Sequence, residues 1–210
     1  MSLFDRITLL ATGLVAVYLI FRLIQDFKKN SKAIYDIYYI VSFAVLFVSG
    51  VLLILFTYDI LPNPLVIIVT TLLPMGIATG LVHEFYEKHG KAYLAFAVIG
   101  LLAISITRFT DAGALATIAL AFFHSIAGLT ILVVPYLAVK NKLVPGGFIF
   151  VSIGGILIGL GGIALAFLKS GAQLLFFSQE FVMMILAPLL LLMTLAYTWG
   201  FVKKILSDKE

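Results

Sequence analysis

His124 lies deep inside an apolar stretch, in the sequence Phe-Phe-His-Ser of residues 122–125. A polar group at membrane depth is costly to bury and suggests a functional site. The imidazole suits three roles: a ligand of haem or a metal, a proton relay, or a substrate contact. A structural role stays open as well, because a neutral imidazole can hydrogen-bond to a neighbouring helix.

A second group of candidate ligands lies in the stretch HEFYEKH. His83 and Glu87 are four residues apart, which places them on one face of a helix. The spacing is close to the His-Glu-x-x-His zinc pattern, with a glutamate in place of the second histidine. Catalytic zinc takes three protein ligands, and only His89 is near enough in sequence to be the third. The stretch predicts either a metal site at His83 and Glu87 or an interfacial cluster in which Glu84 pairs with Lys88.

Three prolines, Pro74, Pro135 and Pro188, fall inside apolar stretches. A proline within a helix bends it and frees backbone carbonyls, and transporters build binding sites from such interrupted helices near mid-membrane. Polar side chains near these prolines and near the buried imidazole are the predicted substrate contacts. They are His124, Ser125, Thr70, Thr71 and Thr194.

Small residues form a stripe along the sixth apolar stretch, at spacings that place them on one helix face. The stripe comprises Ser152, Gly155, Gly159, Gly162 and Ala166. Its Gly-x-x-x-Gly portion is the close-packing motif of membrane helices. The stripe predicts tight packing inside the bundle. It also leaves open a homo-oligomer or membrane-complex partner that docks through helix 146–168.

The composition indicates which solvent surrounds these candidate residues. The chain has 210 residues, 63% hydrophobic and 11% charged, whereas a soluble domain has about 25% charged residues. Too few charges remain for a water-soluble surface, so lipid must surround most of the chain, and we expect a multi-pass protein of the cell membrane. The absence of cysteine excludes disulfides and thiolate metal sites.

Seven stretches are long enough, or nearly so, to span a bilayer. The predicted fold is therefore an all-α transmembrane bundle forming one domain over residues 1–210, and the first stretch is a retained helix because no convincing signal-peptide cleavage site follows it. The predicted helices lie near 7–24, 37–58, 64–82, 92–107, 112–139, 146–168 and 181–202.

The loop charges predict an orientation. Alternate loops place eleven lysines and arginines on one side and three on the other, where the three are Arg6, Arg108 and Lys169. Basic loops stay in the cytoplasm, so we expect the N-terminus outside and the C-terminus in the cytoplasm. The basic net charge of +4 then reflects orientation and contact with anionic lipid, and no nucleic-acid partner is expected.

This orientation limits the chemistry. His83 falls at the inner end of its helix and His124 about fifteen residues before the inner end of its own. The depths differ by roughly 20 Å, which disfavours a haem held by both. The seven-helix topology resembles that of the rhodopsins. The retinal lysine that a microbial rhodopsin carries within its last helix has no counterpart in 181–202, which argues against a pigment.

Three functions remain. The first is a transport or permeation protein for a small solute or ion, which uses the proline-bent helices and His124. The second is an accessory or structural subunit of a larger membrane complex. The third and least favoured is a membrane-embedded metal or haem enzyme, and the sequence does not specify a cofactor.

Overall fold

The computed structural model describes residues 1–29, 33–169 and 179–207, and the side chains of 163–169 and 179 lie outside that description. Within these ranges the regular elements are helices, seven of them α-helices. Six are long and apolar enough to cross a membrane. The predicted all-α, multi-pass membrane fold is confirmed. The helices are α1 Leu3–Lys29, α2 Ile34–Phe56, α3 Pro64–Phe85, α4 Glu87–Phe109, α5 Ala114–Lys140, α6 Ile149–Lys169 and α7 Gln179–Ser207.

The fourth helix is longer than the sequence predicts. It begins at Glu87, five positions before the predicted start at 92, and reaches Phe109. Its first residues include Glu87, Lys88 and Lys91, which are all exposed. Because hydropathy identifies only the apolar part of a helix, these charges made the predicted start too late. An acidic residue in the first turn also suits the positive end of the helix dipole. The helix is long enough to span a bilayer, so the alternation of sides in the loop-charge argument holds at this point.

The connections between helices follow local chemistry. The Asn63 side chain accepts a hydrogen bond from the Leu65 N–H at 2.9 Å, and Pro64 opens α3 where no N–H is needed. A single residue, Tyr86, with φ −138° and ψ 54°, separates α3 from α4. Short 3-10 helices, Thr57–Ile60 and Gly146–Phe148, occupy two other connections.

Consecutive helices pack against each other around the bundle, and α7 closes it against α1. The third helix also contacts α5, and it is the most buried of the spans. α1, α3, α5 and α7 end on the side that we call the basic face, where Lys28, Lys88, Lys140 and Lys203 lie exposed. The other side is the opposite face.

Candidate functional site

A buried ion pair lies at the basic face, between α3 and α7. The Lys204 ammonium contacts the Glu84 carboxylate, and their side chains are only 6% and 8% exposed. The Tyr39 hydroxyl of α2 donates a hydrogen bond to the second carboxylate oxygen of Glu84 at 2.7 Å. Both carboxylate oxygens are therefore engaged, which is the condition under which a buried ion pair is tolerated.

Glycines one turn away allow these side chains to meet. A Cβ at Gly80, four residues before Glu84, would overlap the Tyr39 ring, so the ring fills the space that the glycine leaves. Gly200, four residues before Lys204, lets α7 approach α6 closely, because a Cβ there would lie 2.6 Å from Val151 Cγ2 and 3.0 Å from its backbone nitrogen. The ring contact at Gly80 and the close helix approach at Gly200 position Tyr39 and Lys204 near Glu84.

More acidic and aromatic groups surround the ammonium. Lys204 Nζ lies 4.8 Å from the centre of the Tyr35 ring, a cation–π distance. Asp36 and Asp26 of the same end are 1% and 9% exposed, and both act electrostatically on Tyr35. The charge of Asp36 also acts on Lys204. The Lys204 ammonium thus occupies an acidic environment with an aromatic face, under low exposure to water.

An aromatic cluster, formed by Tyr39, Phe43, Phe148, Tyr197 and Phe201, lies beside the ion pair. Tyr39 and Phe201 have ring centres 4.5 Å apart, and Phe201 also contacts Phe43 and Phe148. Phe43 contacts Tyr197 at 5.7 Å. All five side chains are fully buried. Tyr39 belongs to this cluster and also contacts Glu84, so the cluster and the ion pair are contiguous.

Sequence analysis missed this site because Glu84 and Lys204 lie at helix ends, where charges are normally solvated. The sequence does hold a signal for it. Gly76 and Gly80 form a Gly-x-x-x-Gly pair on α3, and both positions contact α2, at Ser42 and Tyr39. The pair marks the α2–α3 contact that brings the Tyr39 hydroxyl to Glu84.

The structure places His83 and Glu87 on different helices. We predicted a continuous helix through both residues, and this is wrong because α3 ends at Phe85 and α4 begins at Glu87. The His83 ring stacks on Tyr38 at 5.1 Å, beside Gly90, and Glu87 is exposed. Among the described residues no group of three potential metal ligands occurs. The metal assignment stays a prediction.

The alternative prediction for residues 83–89 was an interfacial cluster in which Glu84 pairs with Lys88. The structure corrects it, because Glu84 points into the bundle to Lys204 while Lys88 is exposed. The two charges lie on separate helices, so the spacing that favours a pair within one helix does not apply.

The five predicted substrate contacts do not meet in one place within the described structure. His124 of α5 faces α6, where a Cβ at Gly162 would lie 2.9 Å from its Nε2, while Ser125 is exposed. The Nε2 atom has no hydrogen-bond partner among the described residues. The hydroxyls of the three threonines donate to carbonyls of their own helices, at 2.7–3.0 Å, and these are Thr70, Thr71 and Thr194. Their role in substrate binding stays a prediction.

The small-residue stripe of α6 packs within the chain at several positions. The Ser152 hydroxyl donates to the Leu132 carbonyl of α5 at 2.7 Å, Gly155 meets Ile131, and Gly162 meets His124. Among the residues that the structure describes, nothing lies within 4 Å of a Cβ added at Gly159. The side chain of Ala166 lies outside the described residues. A partner contact through this helix stays a prediction.

At the opposite face, Arg108 and Asp111 line a depression of about 240 Å³. Although they are close in sequence, the two side chains form no ion pair with each other in the described structure, and the Arg108 Nε has no partner there. Asp111 adopts φ 49° at the turn before α5.

No protein family, characterised protein or solved structure matches this chain.

Proposed function

We propose that this multi-pass membrane protein transports a small ion or polar solute, and that the Glu84–Lys204 pair is where the solute binds. The burial of two opposite charges between membrane helices carries the proposal. Such residues are rare in membrane helices and are found on ion and substrate pathways. A solute that binds Glu84 or Lys204 displaces the other residue. Solute binding is therefore coupled to the breaking of the ion pair, and solute release to its formation.

The packing of α7 supports a moving part at this site. In the described structure α7 packs along α1 and α6, whereas extensive backbone contact with α2 or α3 does not occur. The ion pair and the aromatic rings bridge that gap by side chains alone. A junction of side chains opens at lower cost than a close helix–helix contact, and alternating access in transporters uses such relative movements.

Buried hydroxyls extend the polar character of α7 beyond the ion pair. Tyr197 lies seven residues before Lys204, on the same face of the helix, and Thr198 is its neighbour. The Tyr197 hydroxyl and Thr198 Oγ1 are buried and have no hydrogen-bond partner within the described chain. Buried polar atoms normally have partners, so these two are candidates for contact with a passing solute.

Currents from proteoliposomes on a solid-supported membrane test this proposal. Concentration jumps of sodium, potassium, ammonium and methylammonium, with chloride and acetate as the anions tested, should give a transient current for at least one ion. Glu84→Gln should abolish that current, whereas Lys203→Met should retain it, because Lys203 is exposed and contacts Trp199. Wild-type currents that match empty liposomes for every ion would contradict transport.

The alternative function is an accessory subunit of a membrane complex. The short connections and the uncovered Gly159 of α6 favour it. Extraction into native nanodiscs should then retain a partner, and Gly159→Leu should release it. A protein that is monomeric under these conditions would argue against this role.

A further inference from the structure

The contacts of Lys204 are those by which proteins recognise an ammonium group. Glu84 supplies a carboxylate oxygen to the ammonium, and the Tyr35 ring presents its face at 4.8 Å. Tyr39 holds the carboxylate in place by donating to its other oxygen at 2.7 Å. A carboxylate beside an aromatic face, both buried, is the usual arrangement for binding organic ammonium ions.

The same contacts are poorly suited to a metal ion. Hard cations take a shell of six or more oxygen atoms. In the described chain the contacts of Lys204 are the Glu84 carboxylate and the Tyr35 ring face, while Asp36 acts on it through its charge. No group of three potential metal ligands occurs among the described residues, Asp26 and Asp36 included. A ring face attracts a weakly hydrated organic cation, and N–H donors satisfy the carboxylate oxygen that Lys204 now uses.

We infer that Glu84, Tyr35 and Tyr39 form a binding site for a small primary ammonium ion, and that Lys204 is the tethered occupant which this ion replaces. The inference rests on the transport function proposed above, for which it supplies the class of solute. Lys204 lies one turn before Ser207, the last described residue of α7, so its four-carbon stem can carry the displaced ammonium out to the basic face.

Removal of the tethered ammonium should open the site to a free one. In Lys204→Ala, n-propylammonium has the three carbons and the nitrogen of the missing side-chain atoms and should raise the midpoint of thermal unfolding in detergent. We expect the apparent affinity of Lys204→Ala for this ammonium ion to exceed that of wild type by about tenfold or more, because Lys204 competes for the site in wild type. Sodium and tetramethylammonium at equal concentration should not raise the unfolding midpoint. Sodium has neither N–H donors nor apolar character, and tetramethylammonium has no N–H donor for the carboxylate.

The matched control is the double variant Glu84→Gln/Lys204→Ala, which lacks the carboxylate and should not respond to n-propylammonium. If Lys204→Ala does not fold, Lys204→Met with methylammonium replaces it, because methionine keeps the apolar stem. Equal stabilisation of the single and double variants, or equal stabilisation by sodium, would overturn the inference.

This binding test separates the inference from the function on which it rests. Selective rescue of Lys204→Ala, with no wild-type current for any of the tested ions, would retain the ammonium site and overturn transport. A wild-type current without rescue would retain transport and overturn the ammonium site.

Discussion

Burial of Glu84 and Lys204 removes two charged side chains from water, which costs several kcal/mol for each ion. Their mutual attraction and the hydrogen bond from Tyr39 offset that cost. Such a pair contributes little net stability relative to an apolar pair of the same size. Loss of one partner is nevertheless strongly destabilising, because it leaves the other charge buried and unpaired. Stability alone is therefore a weak reason for this pair to exist, which favours a functional one.

A double-mutant cycle tests this balance. Glu84→Gln and Lys204→Met should each destabilise the protein by about 3–5 kcal/mol, because each leaves a buried group without its partner. The double variant should be more stable than either single variant. The midpoint of thermal unfolding in detergent measures all four proteins. Additive losses in the cycle would mean that the two side chains do not interact.

At the same scale, the sequence shows which residues are polar but not which of them are buried. His124 stood out because it interrupts an apolar stretch, and the structure does bury much of it against α6. Glu84 and Lys204 did not stand out, because a charge at a helix end reads as solvated. Their burial depends on α2 and α7, which are far apart in sequence. The glycine pair of α3 indicates the close contact with α2 but not the burial of these two charges.

The glycines of α3 determine how closely this helix packs against α2. Gly80→Ala should destabilise the protein by about 1–3 kcal/mol, because the added methyl group overlaps the Tyr39 ring and displaces its hydroxyl from Glu84. The midpoint of thermal unfolding measures the loss.

Gly128→Ala provides the matched control for that prediction. Gly128 lies inside α5, and an added Cβ would meet nothing within 4 Å. This substitution should leave stability unchanged or raise it by up to about 1 kcal/mol, because alanine favours a helix. An equal loss at Gly80 and Gly128 would show that the α2–α3 contact does not position Tyr39.

Hydropathy predicted the number of helices and most of their positions, because a spanning helix must be apolar over its whole length. It placed the start of α4 too late. The four-residue spacing of His83 and Glu87 wrongly predicted one continuous helix through both residues. Both depend on Tyr86, whose backbone conformation breaks the helix within one residue. Neither glycine nor proline marks that break, so no local pattern indicates it.

For the whole molecule, the orientation is a prediction from the loop charges. Since the chain has no cysteine, single-cysteine variants give a clean test. Thr110→Cys at the opposite face should react with a membrane-impermeant maleimide in intact cells, and Asn141→Cys at the basic face only after permeabilisation. Both residues are exposed. The reverse labelling pattern would place the ion pair at the outer side of the membrane.

We propose that the Glu84–Lys204 pair binds a transported solute. The neutral double variant Glu84→Gln/Lys204→Met tests it most directly, because it removes both charges without stranding either. Its ion-driven current in proteoliposomes should be compared with that of wild type at equal amounts of folded protein. We predict a current in wild type and none in the double variant. Equal currents would contradict the account, because the pair would then be structural.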